Sequence, residues 1–300
     1  MMSDNLEHKD WSGRTDGLPF MHRSLILMLR VLPLWLFYFI ASFVVLFYML
    51  FSRKTYKSMY NFFREGFSYG RFKSFIYVYL NHYRFAQIII DRFGAYAGKK
   101  FNFEIEGQPL SDELENAKEG FIQLSAHVGN YEISGYSVKS RHKKFNILSF
   151  SGEAGTIVDN RIKLFSNNNI EIIFVKEDLS HIFAMSQAIE NGDIVSMMAD
   201  RNLGSQKVVK CSFLSHEAEF PLGPFSFAVS RNAPVLAVFV MREGIKKYHI
   251  FIRRIESDKN DNRIKQSTQM ANEFASIAEE IVRKYPTQWF NYFDFWKREN

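Results

Sequence analysis

His127 and Glu132 stand five positions apart in the stretch LSAHVGNYEISG, with Gly129 and Asn130 between them. Such spacing suits a turn that closes a strand and opens a helix. Across that turn a carboxylate can accept an imidazole N–H, fix the tautomer and leave the other ring nitrogen as a general base. Gly129 would let the backbone pass close to a ligand, and Asn130 would cap the helix or meet substrate. The bland alternative is a buried, hydrogen-bonded histidine, with Glu132 only favouring the helix amino terminus. From the pair alone both readings stand.

Asp200 and Arg201 close a second apolar run, GDIVSMMADR, and so share the expected crevice with His127. The planar donor fork of Arg201 matches a phosphate on a ligand; an internal ion pair is the competing reading. Arg161, in VDNRIKLF, is a second phosphate candidate against a solvated helix face. Cys211 follows KVVK in an expected strand, and no G-x-S-x-G elbow occurs, so no covalent intermediate on a cysteine or serine is expected. A metal site built from His127, Glu132 and Asp200 offers too few ligands, and no metal is expected. His181, His216 and His249 are given no function. Neither G-x-G-x-x-G nor a P-loop is present, so no nucleotide cofactor is expected.

The elements that must position these residues begin at residue 101. Expected strands cover 101–107, 121–126, 145–150, 170–175, 194–199, 234–241 and 248–255. Expected helices cover about 131–141, 157–168, 180–191, 224–232 and 264–284. Alternation of this kind implies an α/β domain with a mixed, largely parallel sheet flanked by helices, its ligand crevice at the carboxyl ends of the strands. His127 and Asp200 both fall at such ends.

Upstream, the run from Val31 to Ser52 is uncharged and lies between Arg30 and Arg53. As a helix it would reach ~33 Å against a bilayer core of ~30 Å. Its length and late start disfavour a signal peptide. The larger basic cluster follows it, so a cytoplasmic catalytic domain is expected. Pro33 keeps open a helix that enters one leaflet. The expected organisation is a tail over 1–22, a membrane anchor over 23–54, an aromatic-rich helical region over 55–100, and the α/β domain over 101–300. The rings of the third region either pack on the domain or meet the membrane surface.

The 300 residues carry a net charge of +6 and a single cysteine, which excludes an intramolecular disulfide and a multi-cysteine zinc site. No nucleic-acid motif accompanies the charge, so nucleic acid is not an expected partner. An acidic protein or an anionic lipid is. The compact cluster Arg141, His142, Lys143 and Lys144 is a candidate docking face for an acidic protein, with a plain solvated turn as the alternative.

SAHVGNYE resembles the H-x4-D/E block of glycerolipid-type acyltransferases, in the branch of bacterial lipid A late acyltransferases. GDIVSMMADRNLG resembles that family's second block, EFPLGPFSFAVSRNAPVLAVFVMRE its Pro-Gly-Pro turn into a helix and strand, and YPTQWFNYFDFW its closing segment. WSGRTDGLPFMHRSLILMLR and IIIDRFGAYAGKKFNFEIEG are similar to a subgroup tied to aryl polyenes or flexirubin-type pigments. Tyr131 and Arg201 stand where the family often has Trp and Gln.

The resemblance implies acyl transfer from an acyl carrier protein or coenzyme A thioester to a lipid hydroxyl at the bacterial inner membrane. It makes His127 the base and Glu132 its orienting partner, with no cofactor beyond the donor. The acceptor is a lipid A precursor, or alternatively an aryl polyene, flexirubin-type or other membrane lipid. A non-catalytic, membrane-tethered lipid-binding protein is the reading from another class.

Overall fold

The computed structural model describes residues 19–133, 140, 142–149, 169–176, 178–202 and 207–296. Seven strands form one sheet: β1 (Asn102–Glu106), β2 (Phe121–Ser125), β3 (Phe145–Ser149), β4 (Ile170–Phe174), β5 (Ile194–Met198), β8 (Val235–Gly244) and β9 (Lys247–Ile255). Their order is β1-β9-β8-β2-β5-β3-β4. Every pairing is parallel except β8 with β9, a hairpin. The fold is therefore α/β with a mixed, largely parallel sheet. Two strands, β6 (Val208–Phe213) and β7 (His216–Pro221), pair antiparallel as a separate ribbon. Sequence reading had only the start of that ribbon, around Cys211, as a strand.

Period-two burial splits the central strands between two faces. Ile122, Leu124, Val195, Met197 and Phe239 belong to one apolar cluster, and Phe121, Ile194, Leu236, Val238 and Val240 to the other. Strands apolar on both sides must be covered on both sides. The first face is covered by α6 (Ser180–Glu190), α7 (Gly223–Arg231) and α8 (Arg263–Lys284). In α8 the buried stripe Met270, Ala271, Phe274, Ala275, Ala278, Ile281, Val282 follows helical spacing. Asn262 caps that helix by accepting from the Lys265 N–H, and Arg283 and Lys284 meet its carboxyl end. A short helix, α5 (Gln108–Asn116), lies among residues read from sequence as a connection. Of the helix expected over 131–141, residues 131–133 are helical and 134–139 lie outside the described residues; so does the helix expected over 157–168.

The amino-terminal part folds as α1 (Pro19–Val31), α2 (Leu34–Phe51), α3 (Arg53–Glu65) and α4 (Arg71–Tyr96). The apolar run is thus divided from the helix before it by Pro33, which sits extended at φ −76 at the start of α2. By length and composition α2 can cross a membrane, at mean hydropathy 2.3. One of its faces is already used: Leu34, Phe37, Tyr38, Ala41, Val45 and Met49 are buried, and α2 packs along α4. Trp35, Phe39, Phe43, Phe47 and Phe51 on the opposite side are exposed.

Candidate active site

The site follows from strand register. Ser125 is the Cα partner of Met198, and the Ala199 N–H donates to the Ser125 carbonyl at 2.9 Å. His127 and Asp200 each lie two residues beyond that matched pair, so adjacent parallel strands deliver them side by side at their carboxyl ends. His127 Nδ1 is 2.8 Å from Asp200 Oδ1, and the His127 backbone N–H donates to Asp200 Oδ2 at 2.9 Å. One carboxylate therefore holds both the ring and the backbone of the histidine. With Nδ1 donating to Asp200, Nε2 carries the lone pair.

Burial pushes the His127 imidazole below its ordinary value, and the Arg201 charge adds to this, while Asp200 opposes both. Burial alone would raise Asp200, but His127 and Arg201 outweigh it and hold the carboxyl low. The combination is a neutral imidazole against an ionised carboxylate, the state a general base requires.

Glu132 does not fill the place expected of it. Its carboxylate is buried and pairs with Arg92 Nε of α4 at 2.9 Å, while Asp200 is the carboxylate on His127 Nδ1. The helical turn at 131–133 points this side chain back toward α4. Asn130, expected to cap or to meet substrate, is fully buried; Nδ2 donates to the Tyr248 hydroxyl at 3.1 Å, and among the described residues Oδ1 has no hydrogen-bond partner. It anchors the turn to the core.

Arg201 is half-buried beside Asp200 and donates through Nη2 to the Phe290 carbonyl at 2.6 Å. Burial lowers its pKa. Arg161 lies outside the described residues.

The turn between His127 and Glu132 is clamped by backbone. Gly129 has φ +62, and a Cβ there would stand 2.1 Å from the Val240 carbonyl oxygen, so only glycine fits. The Gly129 N–H donates to Gln288 O at 2.8 Å, Asn130 N–H to Val240 O at 2.7 Å, and Phe290 N–H to His127 O at 3.0 Å. The closing segment noticed in the sequence as PTQWF is therefore one wall of the site. Gln288 is fixed in turn, accepting from Arg242 N–H and donating to Arg242 O. Asn81 of α4 donates to the Thr287 and Trp289 carbonyls.

Sequence reading missed these supports because it saw α4 only as aromatic. Asn81, Arg84, Gln87 and Asp91, spaced three, three and four, trace a polar stripe on one face, and that was the available signal.

The proposed basic docking face is also corrected. Lys143 is buried, its ammonium donating to the carbonyls of Ala117, Glu119 and Gly192 at 2.8, 2.9 and 2.6 Å. Lys144 pairs with Glu171. Both precede β3, at the end of the sheet opposite His127. Arg141 lies outside the described residues.

Cys211 is buried with its thiol pushed up to about 12, so it stays protonated. Among the described residues, Glu104, Glu243 and His249 could converge on a metal ion, but the Lys247 ammonium already lies 3.2 Å from both carboxylates. A cleft of about 440 Å³ between α3 and residues 291–296 does not include His127.

Residues 90–298 match the family model described as bacterial lipid A biosynthesis acyltransferase. A search of curated proteins returned no match. Among solved structures, the 1-acyl-sn-glycerophosphate (LPA) acyltransferase PlsC from Thermotoga maritima is similar at 13% identity and a TM-score of 0.40, over 84% of this chain and 99% of that one.

Proposed function

We propose, from the premise that this chain belongs to the bacterial lipid A biosynthesis acyltransferase family and is an acyltransferase, that it moves a fatty acyl group from a carrier-protein or coenzyme A thioester to a hydroxyl of a membrane lipid. The observation that carries the reading is the 2.8 Å contact of His127 Nδ1 with Asp200 at the mouth of a parallel sheet. Nε2 takes the proton of the acceptor hydroxyl as its oxygen attacks the thioester carbonyl. Asp200 steadies the imidazolium that results. Collapse of the tetrahedral intermediate expels the thiolate, which recovers that proton from His127, leaving an ester and a free thiol. Arg201, close to Asp200, adds positive field near the developing oxyanion. Arg161 remains a proposed phosphate contact.

The acceptor proposed first is a lipid A precursor, and a polyene- or pigment-linked lipid second. The exposed apolar face of α2 seats the enzyme on the inner membrane, with the catalytic domain in the cytoplasm. Because its other face packs on α4, carbonate washing of membranes should show whether α2 spans the bilayer or lies in one leaflet.

The deciding experiment assays the full chain and its His127→Ala variant with acyl carrier protein and coenzyme A donors, and reads lipid products by mass spectrometry. The variant should lose about 10²–10⁴-fold in turnover while staying folded and membrane-bound. Equal turnover, or none in the wild type with any donor, overturns the reading; the second result favours a lipid-binding protein.

A further inference from the structure

Asp91, in the carboxyl-terminal part of α4, is fully buried. The hydroxyls of Tyr38 and Tyr248 both donate to it, and Arg242 Nε donates at 2.9 Å. Arg242 also reaches Gln87 Oε1 at 3.2 Å and lies over the Tyr38 ring at 4.8 Å. Tyr38 belongs to α2, the apolar helix; Tyr248 belongs to β9 and Arg242 to β8. A buried ion pair of this kind contributes little net stability over an apolar pair of the same volume. Its presence calls for another account.

From Asp91 two routes lead to the catalytic turn. Along the first, Tyr248 accepts from the Asn130 side chain, three residues from His127. Along the second, the Arg242 backbone is clamped on both sides by the Gln288 amide, and the Gln288 carbonyl holds the Gly129 N–H. The backbone of β8 adds the Val240 contact to Asn130. Toward α2, among the described residues, Asp91 is linked through the Tyr38 hydroxyl on that helix's buried face.

We propose that Asp91, together with Tyr38, Arg242 and Tyr248, is a positioning centre that ties the geometry of the His127 turn to the seating of α2 on α4, so that transfer is fast only when the membrane helix is docked. The role of the turn rests on the acyltransferase reading above. The coupling of α2 to the turn does not, and it is read separately.

The test uses the full chain in vesicles of phosphatidylethanolamine and phosphatidylglycerol, with Tyr38→Phe, Tyr248→Phe and the double variant Asp91→Leu/Arg242→Met. The double variant replaces the pair by apolar groups and is expected to keep the fold. Two quantities are read: hydrogen exchange of the peptide spanning 121–133, and kcat with KM. Tyr38→Phe should speed exchange in that peptide and lower kcat about 5-fold at unchanged KM; the double variant should do both more strongly, by about 10-fold or more in kcat. Exchange over 121–133 that stays at the wild-type level in Tyr38→Phe, the variant that cuts the α2 link, overturns the proposal, as does a double variant with wild-type kcat. If exchange responds but no thioester is turned over by the wild type, the coupling stands and the acyltransferase reading falls.

Discussion

Two buried acid–base pairs sit on this sheet and are built for opposite ends. His127 and Asp200 meet at the crevice, where the imidazole keeps 21% of its side-chain surface exposed and can exchange a proton with a substrate. Asp91 and Arg242 are almost wholly enclosed, at 0% and 2%, and touch no crevice. In the first pair, burial and Arg201 draw the histidine down, leaving it neutral but able to protonate. In the second, burial works against the Arg242 charge, yet Asp91 outweighs it and holds the guanidinium above its ordinary value. One pair changes charge during a reaction and the other keeps it. Removing an acid from each should therefore damage different properties.

The largest effect is expected from Asp200→Asn, which keeps the shape but cannot accept the Nδ1 proton in the same way or stabilise an imidazolium. Turnover should fall about 10²–10⁴-fold, while the single acceptor oxygen of Asn gives up one of the two His127 contacts and costs about 1–3 kcal/mol of stability; a calorimetric scan beside the assay checks both. Asp91→Ala should act first on stability, leaving Arg242 as an uncompensated buried charge and costing about 3–5 kcal/mol in denaturant unfolding, with only the smaller fall in kcat that the positioning role implies. If Asp91→Ala were as stable as wild type, the contrast between the pairs would fail.

Arg201→Gln sharpens the electrostatic half of the comparison. Arg201 lowers the His127 pKa, so its removal raises it, and the acid limb of the pH–rate profile should move to higher pH. A limb that stays put would mean that Arg201 serves only to hold the Phe290 carbonyl. The smallest effect concerns the basic residues before β3. Lys143→Met leaves three carbonyls without their donor and should cost about 1–3 kcal/mol of stability, whereas Lys144→Ala removes an exposed pair worth under about 1 kcal/mol. Neither should alter KM for an acyl carrier protein, and a rise in KM with Lys144→Ala would restore the docking face there.

The same contrast explains what a one-dimensional reading could reach. The strand ends at His127 and Asp200 were legible because apolar runs in a doubly covered sheet announce themselves. Which carboxylate meets the imidazole was not legible. Glu132 is five residues away and Asp200 is 73, yet parallel register brings the distant one into contact and a helical turn carries the near one to Arg92. Lys143 misled for a related reason: a run of basic residues looks solvated until three carbonyls from two other connections converge on one ammonium. The Asp91 centre joins α2, α4, β8 and β9, so no local window holds it. Only its polar stripe on α4 was there to be seen.

The central claim is that His127 is the base and Asp200 its partner, and the pH dependence of kcat/KM tests it most directly, since that ratio reports groups of the free enzyme. In the wild type the acid limb should have its midpoint below 6.5, the ordinary histidine value, because burial and Arg201 favour the neutral ring. Asp200→Asn removes the charge that opposes them, so the residual activity should titrate at still lower pH, while Glu132→Gln should leave the midpoint where it is. A midpoint that follows Glu132 and ignores Asp200 would contradict the account.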